Sequence, residues 1–292
     1  MTRNRIHALV TLSTFICLFV CDKAIGGRKI PDDNLGYPVH IILPTGNSGS
    51  GFFVNTDNAS YLVTASHIFF DKKTNRLISD TGECRSYGKD PNDQGRLILS
   101  LNLKTLLSSR NLLYHSSHDV TVLKIGVRSN VDNTVRTNLT PGIKLISVPK
   151  SGMVGVGLKG IKKYDAVLTA NEIIIFGYPS SIGLKQIPQI DYEKPLLRVG
   201  IIAGKNNTKR TIIIDCPVYH GNSGGPVLEI EEDGLEKHFN AIGVVTEFIP
   251  AAEYWKNETN NYANLTLTNS GYAVVEPMDY VLELINSIET VK

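Results

Sequence analysis

Ser223 lies in the hexapeptide Gly221-Asn222-Ser223-Gly224-Gly225-Pro226, where the flanking glycines free the backbone for conformations closed to other residues. That freedom permits two main-chain N–H groups, those of Gly221 and Ser223, to aim at one point. Preorganised donors of this kind stabilise a developing oxyanion. A serine hydroxyl is still a poor nucleophile until a base takes its proton and a third group orients that base. The candidate bases are His40, His67, His115, His118, His220 and His238. His67 stands out because it ends the run Tyr61-Leu62-Val63-Thr64-Ala65-Ser66-His67, and a strand followed by small residues presents an imidazole at a rim. The orienting acid is expected at Asp119, directly before the apolar run Val120 to Ile125, where it would be held firmly and partly desolvated. Asp71, close behind His67, is the weaker rival. Taken singly, each of these positions also has a plain reading: a glycine-rich turn, a polar strand end, an Asp capping a turn.

Gly221, Ser223 and Gly225 formally match the Gly-x-Ser-x-Gly nucleophile elbow. That elbow must lead into a helix, and Gly224-Gly225-Pro226 nucleates none. It also needs its histidine downstream, and the histidine after Ser223, His238, is too near in sequence to fit. The elbow is rejected. His115-x-x-His118-Asp119 suggests a metal, but no further Cys or His completes a tetrahedral set, so no metal site is expected.

The elements that would position these groups are short β-rich runs broken by Gly, Asn and Pro. They include His40 to Leu43, Gly51 to Val54, Tyr61 to Thr64, Leu97 to Leu99, Val120 to Ile125, Ile173 to Phe176, Thr211 to Ile214, Ala241 to Val245 and Tyr272 to Val275. The pattern predicts an all-β sandwich or barrel. Helical periodicity is clear at the C-terminus, where Val281, Leu284, Ile285 and Ile288 form one stripe behind Pro277 and Asp279. The polar stretch Arg128 to Gly142 reads as a linker, dividing a first β unit over 34–130 from a second over 143–292 with its terminal helix; a long hairpin loop is the alternative.

Arg3 and Arg5 ahead of the apolar run Ala8 to Val20 suit a secretory signal over 1–26, cleaved after Gly26, and hence a secreted or periplasmic protein. Cleavage there removes Cys17 and Cys21 and leaves Cys84 and Cys216, a pair that an oxidising compartment could bridge. Sequons begin at Asn58, Asn138, Asn206, Asn257 and Asn264. With 30 basic and 28 acidic side chains, 42% hydrophobic and 20% charged residues among 292, the chain is neither disordered nor built to coat nucleic acid. No membrane association after signal cleavage is expected, and a monomer is.

TASH (Thr64 to His67), HDVTVLKI (His118 to Ile125) and GNSGGPV (Gly221 to Val227), in that order, resemble the trypsin-like serine peptidases of the chymotrypsin clan, bacterial type. GSGFFV (Gly49 to Val54), FGYPSS (Phe176 to Ser181), IGVVTEF (Ile242 to Phe248) and GYAVVEPMDYVLELI (Gly271 to Ile285) extend the likeness over most of the chain after residue 35. The resemblance implies two six-stranded antiparallel β-barrels with the active site between them. The first would supply His67 and Asp119, the second Ser223. It further implies an acyl-enzyme mechanism, a protein or peptide substrate, and no metal or organic cofactor. GNSGG is similar to glutamyl endopeptidases and periplasmic quality-control proteases.

The departures from the family are specific. Cysteines flank neither His67 nor Ser223. Asn222 replaces the acid that pairs with a freed amino terminus in zymogen-type members, and Pro31 follows the Ile30 that such activation would expose, so activity without amino-terminal insertion is expected. Pro217 stands where trypsin has its specificity acid, and Val245 where glutamyl endopeptidases have a histidine. Val218, Thr246, Phe248 and Gly271 are expected to line an apolar primary pocket, with His220 at the cleft edge. A secreted serine endopeptidase is the leading expectation. A catalytically silent homologue acting as a binding module, and an esterase using the same triad, are the alternatives.

Overall fold

In the computed structural model, residues 30–131, 134–180, 187–234, 236–257, 259–260 and 262–290 are described, side chains 130–136 excepted. The expected signal segment, Cys17, Cys21 and the end of FGYPSS at Ser181 lie outside them. Two units are distinguished, Met1–Pro31 and Asp32–Lys292, and every strand belongs to the second.

Ten strands form the first sheet: β1 (Pro38–Ile42), β2 (Ser48–Asn55), β3 (Ala59–Thr64), β4 (Thr81–Tyr87), β5 (Arg96–Asn102), β6 (Leu112–Tyr114), β7 (Thr121–Val131), β8 (Thr134–Leu139), β9 (Ile143–Ser147) and β10 (Val156–Gly157). Their order is β6-β7-β3-β2-β1-β4-β5-β9, with β8 added to β7 and β10 running parallel to β2. Six more strands close into a barrel: β11 (Glu172–Gly177), β12 (Leu196–Asn206), β13 (Thr211–Asp215), β14 (Pro226–Asp233), β15 (Glu236–Asn257) and β16 (Tyr262–Pro277), ordered β11-β12-β13-β16-β15-β14. The all-β class stands, and the second barrel has its six strands; the first sheet carries ten where the resemblance implies six.

Alternation explains the strands locally. In β5, Leu97, Leu99 and Leu101 point inward while Arg96, Ile98 and Ser100 are half-exposed, the two-residue period of a pleated ribbon. These leucines join Val39, Ile41, Phe53, Leu62 and Leu123 in the first core. Ile173, Ile175, Ile202, Ile214, Val227, Val245 and Val275 make the second. Cys84 lies in the first core and Cys216 in the second, so they form no bridge. Burial pushes the Cys84 thiol up to about 12 and the Cys216 thiol up to about 11.

The stretch 128–142 is not a linker. Most of its described residues belong to β7 and β8, which pair as an antiparallel hairpin, with Val127 opposite Asn138 and Arg128 opposite Thr137, nearer the hairpin alternative. Just before this stretch even Val127 is 48% exposed, so no buried alternation marks the start of the hairpin in the sequence. Residues 143–157 were expected in the second barrel, but β9 pairs with β5 and β10 with β2. The chain reaches the second barrel near Ile161, which bridges to Ala241.

Among the described residues three α-helices accompany the sheets: α1 (Ser66–Phe69), α2 (Leu103–Ser108) and α3 (Met278–Thr290). In α3 the expected stripe of Val281, Leu284, Ile285 and Ile288 is buried. The helix follows the second barrel yet docks on the first sheet, where Glu289 accepts hydrogen bonds from Tyr61 Oη (2.8 Å) and Thr56 Oγ1 (3.1 Å).

Candidate active site

Strand pairing brings His67 and Asp119 together. Thr64 at the end of β3 lies opposite Thr121 at the start of β7, so the residues just past one and just before the other share the same rim. The short helix α1 then turns His67 back toward Asp119. The main-chain N–H of His67 donates to Asp119 Oδ1 at 2.9 Å, and its ring Nδ1 lies 2.6 Å from Oδ2. Two bonds to one carboxylate fix both the position and the rotation of the imidazole. Lys72 Nζ approaches the same oxygen at 3.4 Å. Burial works against the Asp119 charge, but hydrogen bonds and charge from His67, with Lys72, outweigh it and hold the carboxyl below its usual range. Asp71 is not a rival in the structure: its Oδ1 is occupied by Lys73 N, Thr74 N and Thr74 Oγ1 in an exposed turn.

Ser223 is placed by main-chain atoms. Gly221 (φ +96°) and Gly224 (φ +87°) are in the left-handed region. A Cβ at Gly224 would collide with the Ser50 carbonyl and the Thr64 hydroxyl, and one at Gly221 with the Tyr178 carbonyl. The turn is pinned to β2 by Ser50, whose N–H donates to Ser223 O (2.8 Å) and whose hydroxyl donates to Gly221 O (2.6 Å) while accepting from Tyr178 N (2.9 Å). The amides of Asn222, Gly224 and Gly225 are spent on Tyr219, Val245 and Asn222 carbonyls. Those of Gly221 and Ser223 donate to no acceptor among the described residues.

The structure therefore sets the Ser223 turn against the end of β3, just before His67. It does not join the two side chains: Ser223 Oγ donates to Thr246 O at 3.2 Å, not to the imidazole. Of the other histidines, His40 stacks on Tyr178 (4.4 Å between centroids), and burial pushes its pKa down to about 4. His238 is exposed on β15. His220 meets Phe248 edge-on at 6.0 Å, and Phe248 packs against the second core. Val218 is buried within that core, but its carbonyl accepts from Asn269 Nδ2 at 2.7 Å. Asn269 Oδ1 in turn accepts from the N–H of Gly271 (φ +88°) at 2.9 Å. Asn222 is buried, and its Oδ1 accepts from Tyr219 N at 3.1 Å.

Sequence reading missed Ser50, Lys72 and Asn269. Ser50 is the most informative of these, since a serine between glycines in an apolar strand marks a close approach of another backbone.

The family model of the trypsin-like peptidase domain matches residues 49–234, a span running from the strand that carries Ser50 past the Ser223 turn. The chain belongs to the trypsin-like peptidase family. Among solved structures it is similar to a thermostable serine protease, AL20, from an extremophilic microorganism, with 13% identity, TM-score 0.50 and coverage of 90% of this chain and 100% of that one. It is also similar to human heparin binding protein, with 12% identity, TM-score 0.51 and coverage of 91% and 97%. Both likenesses concern the fold. The HtrA-type protease AlgW matches at 15% identity and TM-score 0.47 over 88% of this chain, which spans 61% of the AlgW chain. No curated protein matches the sequence.

Proposed function

We propose that the chain is a serine endopeptidase in which Ser223 attacks a peptide carbonyl, His67 takes and returns the proton, and Asp119 holds the imidazole in the required tautomer. The observation that carries this reading is the double hydrogen bond from His67 to Asp119 at the rim that also receives the Ser223 turn. In the reaction the hydroxyl leaves the Thr246 carbonyl for His67 Nε2, and such contacts commonly tighten only with substrate bound. The unused Gly221 and Ser223 amides then receive the oxyanion. The acyl-enzyme is released by water that His67 deprotonates. Phe248, His220, Thr246 and Gly271 border the cleft, with Val218 beneath them, and favour an apolar side chain over a charged one. The basic and apolar leader supports an extracytoplasmic location.

The Ser223 bond to Thr246 favours a second reading, a silent homologue with the hydroxyl parked. An active-site-directed fluorophosphonate separates the two. Labelling of the wild-type protein, lost in Ser223→Ala together with peptide cleavage, supports the peptidase; no labelling of the wild type establishes the silent form. In subtilisin removal of the triad serine costs about 10⁶ in turnover, and a loss of that order is expected here.

A further inference from the structure

Next to Asp119 in sequence, at His118, begins a second histidine–carboxylate pair. Glu276 sits near the end of β16, opposite Val244, and is 7% exposed. Its Oε2 is 2.9 Å from Nδ1 of His118, the residue directly before Asp119. The pair thus joins the second barrel to the turn of the first sheet that carries Asp119. The ring of His118 is clamped as well, stacked on Tyr280 of α3 with centroids 3.5 Å apart and planes 16° from parallel. His115 closes the turn from the other side. Its Nδ1 accepts from the N–H groups of Ser117 (3.2 Å) and His118 (3.1 Å), which leaves the proton on Nε2, 3.4 Å from Glu283.

A buried carboxylate is costly unless its charge is used. Burial raises the Glu276 carboxyl above its ordinary range; His118 and the main-chain N–H of Asp119 pull it back down, and the Asp119 charge pushes it up. Glu276 therefore senses Asp119 at both ends, through its amide and through its charge. The other charged and titratable groups around this cluster are His115, Asp279, Tyr280 and Glu283, with Arg210 from the turn between β12 and β13.

We propose that Glu276 and His118 are a positioning pair that sets Asp119, and through it the orientation of His67, by fastening the turn of the first sheet to the second barrel. The inference rests on the catalytic reading of His67, Asp119 and Ser223. Misplacing a reacting group by 1 Å can cost about a hundredfold, so loosening this turn is expected to act on kcat rather than on KM.

The test compares wild type with Glu276→Leu, His118→Leu, the double variant, Glu276→Gln and His118→Asn. Turnover is counted per fluorophosphonate-titrated site, which removes unfolded protein from the measurement. Glu276→Leu and His118→Leu should each lose about tenfold or more in kcat with KM within about twofold, and the double variant should lose no more than the worse single one. His118→Asn keeps an N–H donor and should retain most of kcat. Glu276→Gln keeps an acceptor but removes a negative charge beside Asp119. The imidazolium is then less favoured, and the acid limb of kcat/KM moves to lower pH by a few tenths of a unit, roughly the scale of a partly screened charge.

Per-site kcat unchanged in both Leu variants, or additive losses, would overturn the proposal. If the Leu variants do not fold, an unmoved acid limb in Glu276→Gln overturns it equally. A wild type that never labels would instead sink the catalytic reading, and a labelled wild type with indifferent Glu276 variants would sink the positioning pair alone.

Discussion

The Ser223 turn is held mostly by main-chain atoms, whereas the His67–Asp119 pair is held mostly by charged and titratable side chains. Around Ser223 the contacts are carbonyls and amides of Gly221, Gly224, Tyr178 and Val245, gathered by the one hydroxyl of Ser50. Around His67 they are a carboxylate, an imidazole and an ammonium group, with one main-chain N–H, that of His67, donating to the carboxylate. The first half is accordingly rigid, buried and intolerant of a Cβ, yet carries no net charge. The second is adjustable in pKa and exposed to salt and acid. Geometry is set in one half and proton affinity in the other, and substitutions separate them.

The largest effect after loss of the nucleophile is expected from the charged half. Asp119→Asn removes the charge and presents an amide that can hold the wrong tautomer. In a serine protease of known mechanism that change costs about 10⁴ in kcat, and a fall of similar order is expected here with little change in fluorescence-monitored folding at neutral pH. The acid behaviour should also differ. Because the folded Asp119 carboxyl is held below its usual range, it adds stability above the unfolded carboxylate pKa. That increment is lost as the pH falls through the lower, folded value. Asp119→Asn has no such increment, so its stability should decline less between neutral and acid pH; an identical decline would show that the carboxylate is not held as described.

Gly224→Ala strikes the main-chain half. The new Cβ meets the Ser50 carbonyl and the Thr64 hydroxyl at a φ of +87°. A cost of about 2 kcal/mol or more is expected, a drop in Tm on the order of 5 °C, with kcat down about a hundredfold and its pH profile unmoved. A shifted acid limb would contradict the division between the two halves. Ser50→Ala is gentler. It strands the Tyr178 amide and the Gly221 carbonyl, worth about 1–3 kcal/mol, and should lower kcat by about tenfold while labelling at Ser223 persists.

The same division explains what could be read in the sequence. The glycines of GNSGG were legible because positive φ singles out a residue type, and the strands were legible because burial alternates along them, as in β5. His67 and Asp119 could be proposed because each adjoins an apolar strand at its end. The Glu276–His118 contact joins residues 158 positions apart and leaves no local signature. The β7–β8 hairpin reads as a linker as readily as a hairpin because a strand with an exposed face need not be apolar. The extension of β15 and β16 beyond the barrel, from Pro250 opposite Asn269 to Asn257 opposite Tyr262, escaped for the same reason. Its Tyr254, Leu265 and Leu267 are exposed among Asn, Glu and Thr, and no buried face imposes a period.

The smallest expected effect is at Lys72, which tests whether the charged half is as adjustable as its chemistry suggests. The ammonium group lies 3.4 Å from Asp119 Oδ2 but its side chain is 61% exposed, so water and salt screen most of the attraction. Lys72→Met removes a positive charge beside the carboxylate. Asp119 then holds its proton more readily, and the imidazolium it faces loses a repulsive neighbour, so the acid limb of kcat/KM should move to higher pH by a few tenths of a unit, with the plateau nearly unchanged. Raising the salt concentration in the wild type should move the limb the same way and should do little to the variant. A salt response equal in both proteins would show that Lys72 does not act on the pair, and that His67 and Asp119 set their proton affinity between themselves.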